Sequence, residues 1–323
     1  MAISMNSQKI LDKNFSRLSI ILTRNPEGAN IIDTNIIMPN DIVNFIYKVP
    51  PEQINAEGQI ASYDEFLEGF FDLINLNSQN VAVPEVIDEI SNIKISIRRK
   101  IESLPIYISK RKNSYLSFNP DDEAEVRENI KILKGITFSL DALITVLEDN
   151  PLHMSYMFGN QFLRNNNQRY AAFINEIYNK LRLKRYPEEE LCADDSIVAA
   201  SLILLEEIKK PINIISNDAG IGRRLVVFSS LVQRLVGSCE YCSNLYKLMN
   251  SIGISVYNSL NREGIFNLSW TTKGRDFFSK KIKYDPLKKP DMFSYTLEDL
   301  TLSRINNKRL VSSHSPSNAY KLG

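Results

Sequence analysis

An α/β fold, with a parallel sheet flanked by helices, is what this 323-residue sequence predicts. Two observations point to it: short β-branched runs that end in an acidic turn and lead into a helix, and helical periodicity over most of the intervening chain. Composition agrees, because 43% hydrophobic and 24% charged residues with only 12 Gly and 13 Pro describe an ordinary globular chain with a real core. The length suits one elaborated domain or two.

The elements follow in order. Residues 1–28 are polar with a short apolar patch and read as an N-terminal extension. Ala29-Asn30-Ile31-Ile32 then makes a buried strand, closed by Asp33-Thr34-Asn35, a turn that opens a helix. Phe66, Leu67, Phe70, Phe71 and Ile74 recur at helical spacing, and Val81-Ala82-Val83 is a brief strand-like run. Pro84 suits the first turn of the next helix, which carries Glu85, Asp88 and Glu89.

From Ser91 to about Pro187 apolar residues recur helically in three stretches, Ile93–Ile101, Glu123–Leu147 and Phe162–Leu183. Asp194-Asp195-Ser196 starts a strongly apolar helix, its acids placed where they offset free N–H groups and the dipole. Ile212–Ser216 is a second buried strand and Asn217-Asp218-Ala219-Gly220 its turn. A helical segment runs from there to about Met249, and Ile252–Tyr257 is a further strand. The organisation expected is a discontinuous core over 29–93 and 188–258, a large helical insertion over 94–187, and a basic C-terminal extension over 259–323, disordered at its end.

Several classes are excluded. No apolar run approaches the roughly 20 residues that span a bilayer, so no membrane partner is expected. Three cysteines form no disulfide framework and fit a reducing, cytoplasmic compartment. Cys239-Glu240-Tyr241-Cys242 has half-site spacing, but with only Cys192, His153 and His314 besides, it reads as a pair of buried helix cysteines. No Gly-x-x-x-x-Gly-Lys loop cradles a nucleotide, and Asp33-Thr34-Asn35 lacks the second Asp of an Asp-x-Asp phosphatase. A formal charge of +1 rules out a globally basic coat, yet from Ser251 onward 12 Lys+Arg stand against 6 Asp+Glu, leaving that stretch +6 and the rest −5.

The acids matter as a set. Singly, Asp33 is a helix cap, Glu89 a solvated face residue, Asp194 and Asp195 an N-cap pair, and Asp218 an Asx-turn residue. Together they sit where strands end or helices begin, the edge at which open α/β sheets collect ligands. Clustered carboxylates repel one another unless a cation neutralises them, and oxygen-only ligands select hard ions such as Mg²⁺ or Mn²⁺. Such ions suit phosphodiester hydrolysis.

Ile31-Ile32-Asp33-Thr34-Asn35, Val83-Pro84-Glu85-Val86-Ile87-Asp88-Glu89-Ile90, Asp194-Asp195-Ser196-Ile197-Val198-Ala199-Ala200-Ser201-Leu202 and Ile214-Ile215-Ser216-Asn217-Asp218 resemble, in order, the successive motifs of PIN-domain nucleases. The resemblance covers a small part of the chain. It implies a PIN-like core and an endoribonuclease dependent on Mg²⁺ or Mn²⁺, with Asp33, Glu89, Asp194 and Asp218 as the metal-holding catalytic acids. Ser216 is implied as hydrogen-bonding support and Asn35 as a brace. Asp195 competes with Asp194 for the third position, and Glu85 with Glu89 for the second. The stretch between Glu89 and Asp194 is longer than the family usually has, and a lid, a substrate wall or a partner surface would each account for it.

RNA is the implied partner. A 5′-nuclease-like enzyme cutting DNA is a second reading, and a catalytically inactive PIN-fold module that binds RNA or protein is a third. A protein inhibitor and a homo-oligomer stay open as partners, although the chain exceeds the compact toxins of toxin–antitoxin pairs. Among basic clusters, Arg223 and Arg224 follow Asp218 by about one helical turn and are the candidate phosphate contacts. Lys280, Lys281, Lys283, Lys288 and Lys289, with Tyr284, Phe293 and Tyr295, are further candidates in the tail.

Overall fold

The computed structural model describes residues 16–23, 28–38, 56–75, 79–113, 120–149, 165, 167–175, 191–238, 240–258 and 266–274. The five described strands are β1 (Ala29–Ile32), β2 (Asn80–Val81), β3 (Ile212–Ile215), β4 (Ile254–Asn258) and β5 (Asn267–Thr271). They form one sheet in the order β2-β1-β3-β4-β5. β1 pairs in parallel with β2 and β3, and β3 with β4, while β5 runs antiparallel to β4. The sheet is therefore α/β and mostly parallel, as the sequence led us to expect.

β1 and β3 read Ala-Asn-Ile-Ile and Ile-Asn-Ile-Ile, and all eight residues are buried. Strands covered on both faces are the rule in parallel sheets. Their asparagines are in register with one another and with Asn80. Asn30 Nδ2 donates to Asn80 Oδ1 at 3.0 Å, and Asn213 Nδ2 donates to Asn30 Oδ1 at 3.0 Å. A one-residue slip would leave these buried amides unpaired, so the ladder fixes the register.

The described helices are α1 (16–23), α2 (Thr34–Ile37), α3 (Ala56–Asn75), α4 (Pro84–Asn113), α5 (Pro120–Glu148), α6 (167–175), α7 (Ala193–Ile208), α8 (Ala219–Leu235) and α9 (Glu240–Ser251). α2, α4 and α8 begin where β1, β2 and β3 end. α7 leads back to the amino end of β3, so its own start lies at the same carboxyl edge. Around α7, Ile197, Val198, Leu202, Ile203, Leu204 and Leu205 are all buried, as befits a helix apolar on every side. It ends on Lys209 in the left-handed region (φ 51°), whose N–H donates to the Leu205 carbonyl. α9 is closed by Gly253 (φ 94°), where a Cβ would lie 3.0 Å from Lys273 Cβ, so both conformation and space favour glycine.

The helical part departs from expectation in its continuity. α4 runs unbroken through the expected boundary at residues 93/94 and tolerates Pro105 in its interior. At 1.5 Å per residue its 30 residues span about 45 Å, far beyond the sheet. The distal part packs on α5, where buried Val126, Asn129, Leu133, Ile136, Leu140, Leu143 and Leu147 alternate three- and four-residue steps, the seam of a coiled coil. Lys94 Nζ and Arg98 Nη2 tie α4 to Asp141 at 2.5 and 3.0 Å. α5 also packs on α3, whose Tyr63, Leu67, Phe70 and Ile74 are buried.

β5 lies within the stretch read as a C-terminal extension, and the strand read at Val81-Ala82-Val83 is Asn80–Val81. No described helix is long and apolar enough to cross a membrane. The lysines and aromatics of the tail, the expected disorder at its end, His153, His314 and Cys239 lie outside the described residues, while Cys242 is buried in α9.

Candidate active site

Asp33, the residue after β1, is 3% exposed. Ser216, the residue after β3, donates from Oγ to Asp33 Oδ2 at 2.5 Å and accepts the Asp218 N–H at 2.8 Å. One hydroxyl thus ties the acids that follow two adjacent strands. Asn35 Nδ2 donates to Asp33 Oδ2 at 2.6 Å and to Ser216 Oγ at 3.3 Å, while its Oδ1 accepts the Asn217 N–H at 2.8 Å. Asp218 caps α8 by accepting the Gly220 N–H at 2.6 Å. Asn35 and Ser216, the residues the sequence marked as brace and support, both hydrogen-bond the Asp33 carboxylate.

Glu89 joins from α4. The residue is exposed as a whole, but its carboxylate end is part-buried, with Oε2 accepting from Thr34 Oγ1 at 2.5 Å. Thr34, unremarked in the sequence, is thus the link between the second acid and the first. Glu85 lies one turn earlier and adds negative charge at Glu89, and its own buried Oε2 has no hydrogen-bond partner.

The third position is divided. Asp194 feels the charges of Asp33 and Asp218, whereas Asp195 is 0% exposed and turned toward Arg224 and Cys192. Arg224 Nε donates to Asp195 Oδ1 at 2.7 Å, and Arg224 Nη1 lies 2.9 Å from Asp194 Oδ2. Cys192 Sγ donates to Asp195 Oδ2 at 2.8 Å. The structure brings Asp194 to the other acids and makes Asp195 its anchor.

Arg224 was expected to face a phosphate, but it is 7% exposed and held by the two aspartates. The cause is legible in α8: Ile221, Arg224, Leu225 and Phe228 share one buried helical face. Arg223, one residue earlier, is exposed.

The electrostatics follow from this crowding. Burial pushes Asp33 up to about 7, the Ser216 hydrogen bond opposes the rise, and the charges of Glu89 and Asp218 add to it. Burial pushes Asp194 up to about 8; Arg224 pulls it back, and Asp33, Asp218 and Asp195 push it further. Glu89 is raised, first by burial, against its bond from Thr34. Asp195 is raised by burial despite Arg224. Arg224 itself is raised: burial would lower it, but Asp195 and Asp194 outweigh that. Burial also drives the Cys192 thiol to about 12, so it is no thiolate nucleophile at neutral pH.

A cation here would meet only oxygen donors, the chemistry that hard divalent ions prefer. The space beside Gly220 is already filled: a Cβ there would lie 2.8 Å from Arg224 Nη1, 3.0 Å from Asp218 Oδ1 and 3.3 Å from Asp194 Oδ2. The donor set therefore fits Mg²⁺ or Mn²⁺ in kind, although among the described residues no three acidic, His or Cys side chains already converge as a metal cluster. Set beside protein-family models, curated proteins and solved structures, the chain matches none.

Proposed function

We propose that this chain is a metal-dependent endoribonuclease with a PIN-like core, in which Asp33, Glu89, Asp194 and Asp218 hold Mg²⁺ or Mn²⁺. The observation that supports this most is the gathering of Asp33, Asp194 and Asp218 at one edge: burial, with neighbouring carboxylates adding to it, raises Asp33 to about 7 and Asp194 to about 8, and Arg224 offsets part of the rise at Asp194. That edge is the ligand-collecting one of a parallel sheet. A bound divalent ion would supply an activated water and Lewis-acid stabilisation for displacement at phosphorus.

The chain's own residues do the positioning. Ser216 and Asn35 fix the Asp33 carboxylate, Thr34 fixes Glu89, and Arg224 anchors the Asp194-Asp195 pair. Exposed Arg223, in the first turn of α8, offers positive charge to a phosphate of the bound RNA. The helix starts gathered at this edge add their positive dipole ends.

The test is cleavage of labelled RNA and DNA in Mn²⁺ by the wild type, Asp33→Asn and Asp218→Asn. RNA cleavage in the wild type should fall in both variants by more than the roughly 10–100-fold that outer-shell changes cost. Cleavage that survives both substitutions sinks the assignment, and preferential cutting of DNA favours a 5′-nuclease-like enzyme. A catalytically inactive binding module is favoured by one observation, the ion pair that already neutralises part of Asp194. Its signature would be RNA binding that needs no metal and leads to no cleavage.

A further inference from the structure

β3 and β4 are in parallel register from Ile212↔Ile254 to Ile215↔Tyr257, and the Ser216 N–H donates to the Tyr257 carbonyl. The next pair along is Ser216 and Asn258. On the other side, Ile32 pairs with Ile215, so Asp33 stands beside Ser216. Side chains of registered residues in a parallel pair share a face of the sheet. Asp33, Ser216 and Asn258 therefore form a row along the carboxyl edge. The alternating burial of β4, with Ile254, Val256 and Asn258 on its covered face, agrees.

Asn258 is 1% exposed, and neither its Nδ2 nor its Oδ1 has a hydrogen-bond partner. Ser216 is unable to serve it. Its Oγ donates to Asp33 and accepts from both Asp218 N and Asn35 Nδ2, which exhausts a hydroxyl. A buried amide left unpaired has lost its hydration with nothing in return. Valine, which the chain uses two residues earlier on the same face, would avoid that cost. Glu85 Oε2 and Ser196 Oγ, in the first turns of α4 and α7, are likewise buried without partners at this edge. Elsewhere among the described residues only Asp64 Oδ1 and Asn167 Oδ1 are buried without a partner.

We propose that Asn258 is a positioning residue of the acid site, its side-chain amide holding and orienting a water molecule beside Ser216, in the row that Asp33 begins. Nδ2 donates to the water oxygen and Oδ1 accepts a water hydrogen. Solvent oxygen is the one partner small enough for so closed a position and able to serve both ends of an amide. This rests on the hydrolase reading, because a hydrolase is the enzyme for which an ordered water at the acids matters.

The test uses the full chain and a labelled oligoribonucleotide in Mn²⁺, with Asn258→Val and Asn258→Ser compared with the wild type. Asn258→Val, apolar and of similar size, should lower kcat roughly 10–100-fold, the range for outer-shell partners, with KM unchanged. Its melting temperature should stay at or above that of the wild type, since the amide makes no bond to the protein that valine would remove. Asn258→Ser, whose hydroxyl also binds water, should recover part of kcat. Two results overturn the proposal: a lower melting temperature in Asn258→Val with kcat intact, or a fall in both that Asn258→Ser fails to relieve. Cleavage lost in Asp33→Asn but unchanged in Asn258→Val leaves the hydrolase reading standing and removes only Asn258. A wild type that cuts no RNA or DNA removes both.

Discussion

Asp194 and Asp195 are adjacent in sequence, and their side chains leave the helix about 100° apart in direction. One meets Asp33 and Asp218; the other is sealed against Arg224 and Cys192. What separates them is Arg224, 29 residues away from Asp195, which is why the sequence around position 194 left the choice open. A fully buried carboxylate without its guanidinium is an uncompensated charge. Arg224→Met should therefore cost about 3–5 kcal/mol of stability, read as a lower midpoint in urea. Arg224→Lys should recover little, because one ammonium is unable to reproduce an Nε bond to Asp195 and an Nη1 contact to Asp194 together. A wild-type midpoint for Arg224→Met would mean that Asp195 is not held by this pair.

Between elements, α8 comes close to β5 at Gly222. A Cβ on Gly222 would lie 2.1 Å from Trp270 Cδ1, so Gly222→Ala must push the helix and the edge strand apart, an overpacking cost of about 1–3 kcal/mol. Trp270 is the chain's single tryptophan, so its fluorescence reports this contact directly. Gly222→Ala should unfold at lower urea with a shifted native emission, and adding Trp270→Leu should relieve most of the difference; equal losses in the single and double variants would place the strain elsewhere. β5 itself escaped the sequence reading. Asn-Leu-Ser-Trp-Thr is partly exposed throughout and has no β-branched run, so its strand character comes from pairing with β4. β1, β3 and the start of α7 were legible because each couples a buried apolar run to an acidic turn or cap within a few residues. α4 was read as two pieces because it packs on different partners, α2 and α7 as well as α5, while its backbone does not break.

For the molecule as a whole, the acid site is a cost that protons offset and that a bound divalent ion would offset. Asp33 and Asp194 have folded values of about 7 and about 8 against an ordinary aspartate value of 3.8. Between about pH 4 and pH 8 the folded chain keeps protons that the unfolded chain has released, so fewer protons are bound on unfolding and stability falls as pH rises. Their contribution is fully present below the ordinary value and is lost as pH climbs through the raised ones. Metal-free protein should accordingly melt lower at pH 8 than at pH 5 by more than an Asp33→Asn/Asp194→Asn double variant does. A divalent cation competes with those protons for the same oxygens, so Mn²⁺ should raise the melting temperature strongly at pH 8 and weakly at pH 5. At 100 times its dissociation constant the gain is about 2.7 kcal/mol, and the double variant should show almost none of it. If wild type and double variant melt in parallel across this range, with and without Mn²⁺, the carboxylates of β1 and α7 are not the linked groups.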